Sequence, residues 1–222
     1  MTYEIDHIFV CTEAGAPEAD QLVELGLSEG HPSTHPGQGT ASRHFFFQNA
    51  HLELIWVHKH EEALSPATGR TRLSERWRQR TNGACPFGLC LRPSDSSAAL
   101  PFPGWQYAPG YLPKTWSIHI ASNSENLGEP MLFYMRGTLR PDGFPEAYRQ
   151  PLEHDIGFHE ITRLRWIRPA PVPLSPEMNA VVSNGLVSTA CGSSHFLEIG
   201  FDNELQGKSA KLMPALPVSF FW

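Results

Sequence analysis

Glu4–Thr12 reads EIDHIFVCT and Glu160–Ile167 reads EITRLRWI, and the correspondence between these two stretches decides the fold. Strict alternation sends Ile5, His7 and Phe9 to one face of a strand and Asp6, Ile8 and Val10 to the other. A helical signal follows each stretch. Pro17 suits a first helical position, Leu22, Val23 and Leu25 give an apolar side, and Gly26 is a stop; later Ser175 is a cap, Pro176 a first position and Gly185 a stop. Pro17 and Gly26 are nine residues apart, as are Pro176 and Gly185. A third echo sets His51–Trp56 (HLELIW) against Phe196–Phe201 (FLEIGF). Strand, helix and then several strands, given twice, predict an α+β fold of two βαβββ modules in a single domain over 1–222. The first module is expected over 3–93 and the second over 157–222. Between them, 94–156 should hold extra strands and loops, including an aromatic-bearing packed loop over 94–113. Arg72–Arg80 reads as a short helix with Trp77 turned inward.

At 222 residues, 41% apolar and 18% charged, the chain has enough apolar content to bury a substantial core. Its 17 basic against 23 acidic residues give a net charge of -6, and with no basic tract this argues against nucleic acid or an anionic membrane as partner. The N-terminus opens directly on a strand pattern without a leader-like stretch, and no segment is long and apolar enough to span a bilayer. Cys11, Cys85, Cys90 and Cys191 form no CxxC pair, which suits a reducing cytoplasm. The expected partner is a small molecule in a cleft; whether the chain works as a homodimer stays open.

Ile5–Val10 (IDHIFV) and His35–Val57 (HPGQGTASRHFFFQNAHLELIWV) resemble the opening module of glyoxalase-like proteins of the vicinal-oxygen-chelate superfamily, best over residues 3–58. Gly128–Phe133 resembles a later strand of that group, and the repeat from Glu160 its second module. Members include glyoxalases, extradiol dioxygenases, epimerases, fosfomycin-modifying enzymes and metal-free drug-binding proteins, so the resemblance implies a fold rather than a reaction. It also implies metal ligands on the first and last strands of each module, here His7 and Glu53. The second module departs from this. Arg163 stands where His7 does, and a guanidinium cannot ligate a metal. Glu198 matches Glu53 in local sequence, but a count of strands over 186–191, 195–201 and 212–221 leaves it on the third.

His7 and Glu53 can bind a divalent ion, exchange a proton with a substrate, or simply bond each other across adjacent strands. His51 shares the face of Glu53, and His119 is either a further ligand or an ordinary strand histidine. The glycines of His35–Thr40 let backbone N–H groups approach an oxyanion, with Thr40 and Arg43 at hand; a plain turn fits equally. Arg163 and Arg165 either hold a carboxylate substrate or neutralise Glu53 and Glu198. His44, His58, His60, His154 and His159 read as surface or loop residues. These residues point to a lyase, isomerase or dioxygenase acting on an oxygenated, anionic metabolite. The alternatives are a binding protein that sequesters an apolar or anionic compound, and a structural domain. One divalent metal is the cofactor the resemblance allows, and a fixed charge at Arg163 beside His7 and Glu53 would oppose it.

Overall fold

The computed structural model describes residues 2–95, 99–169 and 171–222. Tyr3–Cys11 (β1), Glu18–Glu24 (α1), Ser33–His35 (β2), Thr40–Phe46 (β3) and His51–Val57 (β4) form a βαβββ unit. Two short helices, His60–Ala63 (α2) and Leu73–Arg78 (α3), lead to Phe87–Pro93 (β5), Gly104–Tyr107 (β6), Ile118–Ala121 (β7) and Met131–Tyr134 (β8). The chain ends with Ile161–Arg168 (β9), Pro176–Ser183 (α4), Ser188–Cys191 (β10), Phe196–Phe201 (β11), Ser209–Lys211 (β12) and Val218–Phe221 (β13).

Pairing divides these strands differently from the expected modules. An eight-stranded sheet runs β2-β3-β4-β1-β5-β8-β7-β6 and curls into a half-barrel. β1 is parallel to β4, β5 is parallel to β8, and β1 meets β5 antiparallel at the centre. The strand pattern of 3–57 is therefore repeated over 87–134, in the stretch expected to be connecting strands, and not over 157–222. Among the described residues no helix stands between β5 and β6; positions 96–98 of the expected 94–113 loop lie outside them. The last part of the chain makes its own five-stranded sheet, β10-β9-β11-β13-β12. There β9 is parallel to β10 and antiparallel to β11, so EITRLRWI copies the local pattern of EIDHIFVCT without its place in a sheet. Short alternating segments carry a strand's faces but not its neighbours, which long-range packing decides.

The two faces of the eight-stranded sheet do different work. Ile8, Val10, Leu52, Leu54 and Leu89 on the convex side share one core with Leu164, Trp166, Leu197 and Ile199 of the five-stranded sheet. Each large aliphatic side chain buried there contributes about 1.5–3 kcal/mol relative to exposure. α4 is held against this assembly by Ser175, whose Oγ accepts from Met178 N at 3.1 Å and donates to Glu129 Oε2 at 2.6 Å. The concave side carries a second cluster that includes Phe9, Ile55, Cys90, Ile120, Met131 and Phe133. α3 covers part of it, with Trp77 turned inward and its Nε1 donating to Thr12 O at 2.7 Å. No helix among the described residues is long and apolar enough to cross a membrane.

One irregularity places the chemistry. The β1/β5 register slips between Ile5 and His7, a β-bulge with Asp6 as the extra residue. Ile5 consequently packs on the convex core, not on the face of His7 where alternation puts it.

The His35–Thr40 turn is a structural junction. Gly39 has φ +76°, its carbonyl accepts from His58 N and Lys59 N at 2.8 and 2.9 Å, and a Cβ there would lie 2.3 Å from Lys59 O. Gly37 has φ +82° with nothing near a would-be Cβ. Urea denaturation should show Gly39→Ala to cost about 2–4 kcal/mol, from left-handed strain plus collision with backbone. Gly37→Ala should cost about 1–2 kcal/mol, from strain alone.

Candidate functional site

The concave face encloses a cavity of about 180 Å³. β1 and β4 bring His7, His51 and Glu53 into its wall, as alternation along each strand predicts. His44 joins them, because the β3/β4 register sets it opposite Glu53. It is 6% exposed, so its expected place on the surface is corrected; His154 is likewise buried, with its Nε2 2.9 Å from Phe46 O. His58, His60 and His159 are exposed.

His7 Nδ1 lies 2.7 Å from Asp6 Oδ1, a contact the bulge permits between chain neighbours. The carboxylate accepts from Nδ1–H and so turns Nε2 toward Glu53 and the cavity. Nε2 lies 3.8 Å from Glu53 Oε2, and the other oxygen, Oε1, lies 3.6 Å from His44 Nε2. His44 donates through Nδ1 to His31 O at 2.9 Å, and Ser42 Oγ is 3.1 Å from its Nε2. His51 stacks on His7 with ring centroids 4.5 Å apart. Behind Asp6, Arg92 reaches Oδ2 at 3.4 Å and Glu4 Oε2 at 2.9 Å.

Burial pushes the Glu53 carboxyl up, but contact with His44 and the fields of His44, His35 and His7 outweigh it and hold the group below the usual carboxylate range. Burial also opposes ionisation of Asp6, and the His7 bond overcomes it. For His44 burial lowers the pKa and Glu53 raises it, with a net rise. Burial drives His51 well below the ordinary imidazole value, reinforced by His7 and His44, and burial lowers His35 too.

The residues expected around this pair divide. Thr40 is buried beneath the wall, its Oγ1 2.8 Å from His35 Nδ1 and accepting from Gln38 Nε2 at 2.8 Å. The glycine turn offers no free N–H to an oxyanion: Gly37 N donates to Glu62 Oε2 and Gly39 N to His35 O. Arg43 points to the other face, bound to Glu29 at 2.6 Å and Asp20 at 2.9 Å. His119 faces the convex side, with Nε2 3.0 Å from Phe102 O. Arg163 and Arg165 stand on the five-stranded sheet with Glu198, at 3.1 and 3.6 Å, and Arg163 also binds Glu204. The expected cleft between β1 and β9 is thus not where the histidines meet, and Arg163 places no charge beside them. Asp6, His35, His44, Gln38, Tyr107 and Tyr111 are the site residues that alternation and motif matching pass over. For His44 there was a usable signal: a hairpin closing Phe46 against His51 places His44 against Glu53.

The resemblance implies a divalent ion, and the donors do not fit one. Across the sheet, the positions that pair with His7 and with Cys90 in turn are Cys90 and Phe133. Among the described residues one group of three donors closes to within 4.8 Å, namely Asp6, His7 and Cys90. Burial pushes the Cys90 thiol well above its ordinary value, and Asp6 is already engaged by His7 and Arg92, so the group lacks the free anionic ligands such an ion requires.

A half-barrel sheet made of two copies of one strand pattern, with its polar cluster on the concave face, is the α+β fold of the vicinal-oxygen-chelate type. Residues 5–101 match the family described as glyoxalase-like domain. The crystal structure of a hypothetical protein from Staphylococcus aureus is similar with a TM-score of 0.55 at 12% identity, over 98% of both chains, a likeness of fold. A xylose isomerase-like TIM barrel/4-hydroxyphenylpyruvate dioxygenase fusion protein aligns at 12% identity and a TM-score of 0.45, over 90% of this chain and 36% of that one. No curated protein matches the sequence.

The charged pair has a pH signature. Because the His44 pKa is raised on folding, its contribution to stability is full below about pH 6.5 and fades as pH rises through the higher folded value. Glu53, held low, contributes above about pH 4.5 and loses its share on acidification. The stability gap between wild type and His44→Gln in urea, about 1–3 kcal/mol at pH 6, should narrow at pH 9; a constant gap would show that His44 is not charged beside Glu53.

Proposed function

We propose that the concave cavity is the active site of an acid–base enzyme of the isomerase or lyase kind, with His7 as general base. The observation that carries this is the 2.7 Å contact of Asp6 with His7 Nδ1, which presents Nε2 to the cavity as an oriented proton acceptor. In the step proposed, Nε2 takes a proton from a carbon next to a carbonyl group, and the C–H electron pair moves into the carbonyl to give an enol or enolate. Asp6, as a positioning residue, stabilises the imidazolium so formed. Return of the proton to another atom of the same molecule makes an isomerase; departure of a leaving group from the neighbouring carbon makes a lyase. Sequestration without reaction is the competing reading, favoured by the apolar remainder of the lining.

The test is exchange of α-hydrogens for deuterium in a panel of small ketones, followed by proton NMR in D₂O. The purified chain should accelerate exchange of at least one of them; His7→Gln should abolish the effect, and Asp6→Asn should reduce it about 10²-fold. Saturable binding of ketones with exchange at the buffer rate would leave the sequestration reading in possession.

A further inference from the structure

The lining also bears on which molecules the cavity accepts. Among the described residues that form it there is no lysine and no arginine. The guanidinium groups expected to hold an anion are occupied elsewhere, Arg43 by Glu29 and Asp20, Arg163 by Glu198 and Glu204, and Arg165 by Glu198; Arg92, behind Asp6, is held by Asp6 and Glu4. A carboxylate or phosphate entering the cavity would meet Glu53, whose positive partner His44 is already committed. An ammonium group fares no better, since the charge of Glu53 is already met by His44 at 3.6 Å. Most of the remaining wall is apolar, with Phe9, Ile55, Ile118, Ile120, Met131 and Phe133 among it, and against it an ion loses its hydration without compensation.

The imidazoles and the carboxylate are gathered at one end, and among the described residues only the hydroxyl-bearing Thr71 and Tyr107 line the cavity from elsewhere. His7, His44, His51 and Glu53 come from the adjacent strands β1, β3 and β4, whereas β7 and β8 give only apolar side chains to the lining. A ligand filling this space is therefore polar at one end and apolar over the rest. At about 180 Å³ the cavity is close to the volume, on the order of 150 Å³, that takes up a single benzene ring. Tyr111, whose Oη donates to Gln38 Oε1 at 3.3 Å and whose ring lies 4.8 Å from that of His35, adds an aromatic surface to the polar end.

We propose that the ligand is an uncharged molecule of about one ring, apolar over most of its surface, with a carbonyl or hydroxyl oxygen seated at the His7–Glu53 end. This replaces the anionic metabolite expected from the arginines, and it rests on the concave cavity being the site that works.

Four probes of one size separate the possibilities: benzyl alcohol and acetophenone as neutral ligands, benzoate as the anion and benzylammonium as the cation. Titrated into the purified chain at pH 7.5 and followed by NMR, the neutral pair should bind saturably, with contacts from the probe ring to the methyl groups of Met131 and Ile120. Benzoate and benzylammonium should bind at least tenfold more weakly, and Ile120→Trp, which fills the apolar end, should abolish binding of the neutral pair. Should Ile120→Trp fail to fold, the probe-to-methyl contacts in the wild-type chain locate the ligand without it. Equal or tighter binding of either ion, contacts outside the cavity, or no saturable binding of the neutral pair would overturn the proposal. If the neutral pair binds as expected while no ketone exchanges hydrogen, the ligand class stands and the acid–base reading alone fails.

Discussion

Glu53 is a carboxylate set into the apolar concave wall of a sheet, and the neighbouring strands are arranged around the cost of keeping it there. An ion of this kind is several kcal/mol unfavourable in such surroundings unless partners replace its water. The β3/β4 register supplies His44 on one side, and the parallel β1/β4 pairing brings His7 to the other. His7 is in turn oriented by Asp6, and Asp6 is met by Arg92 on β5. A polar chain of His44, Glu53, His7, Asp6 and Arg92 thus crosses β3, β4, β1 and β5 in their order in the sheet. Each member satisfies its neighbours, so deletion of one leaves others buried without partners, which costs more than any single bond contributes.

The two halves of the eight-stranded sheet share a strand pattern and divide the chemistry unequally. Polar residues of the cavity wall come mainly from 3–57, while β7 and β8 give Ile118, Ile120, Met131 and Phe133. Where a symmetrical site would place a second set of donors, Cys90 and Phe133 stand, a protonated thiol and an aromatic ring. The outcome is a cavity with a polar end and an apolar body, which suits orientation of an asymmetric small molecule more than symmetrical chelation of an ion.

Alternation along single strands made His7, His51 and Glu53 legible as one face, since a period of two needs no knowledge of neighbours. It failed at Asp6, because a bulge inserts a residue and nothing local in EIDHIFV marks it. The βαβββ class was legible from the recurrence of strand and helix signals, while the partner of the first module was not. EITRLRWI matches EIDHIFVCT more closely than FGLCLRP does, yet β5 is the strand that pairs with β1. Local resemblance reports which faces a segment buries; which strand it lies beside depends on contacts far apart in sequence. The arginines were misplaced in part for that reason: of the two carboxylates expected to neutralise them, Glu198 on the adjacent β11 does so, while Glu53 lies on the other sheet.

The five-stranded sheet explains how the concave face can carry so many titratable groups. By packing Leu164, Trp166, Leu197 and Ile199 against the convex side of the half-barrel, it lets that side be largely apolar and bury far more surface than a solvated sheet face would. Stability gathered there does not depend on the concave wall, which is then free to hold histidines and a carboxylate that weaken a core elsewhere. On its own outer face the same sheet pairs Arg163 and Arg165 with Glu198, so the charges that alternation throws outward are neutralised at the surface. Placing guanidinium groups outside and imidazoles inside leaves the cavity with no arginine or lysine among its described lining residues, a combination that suits the proton transfer on a neutral molecule proposed for it better than holding an anion still.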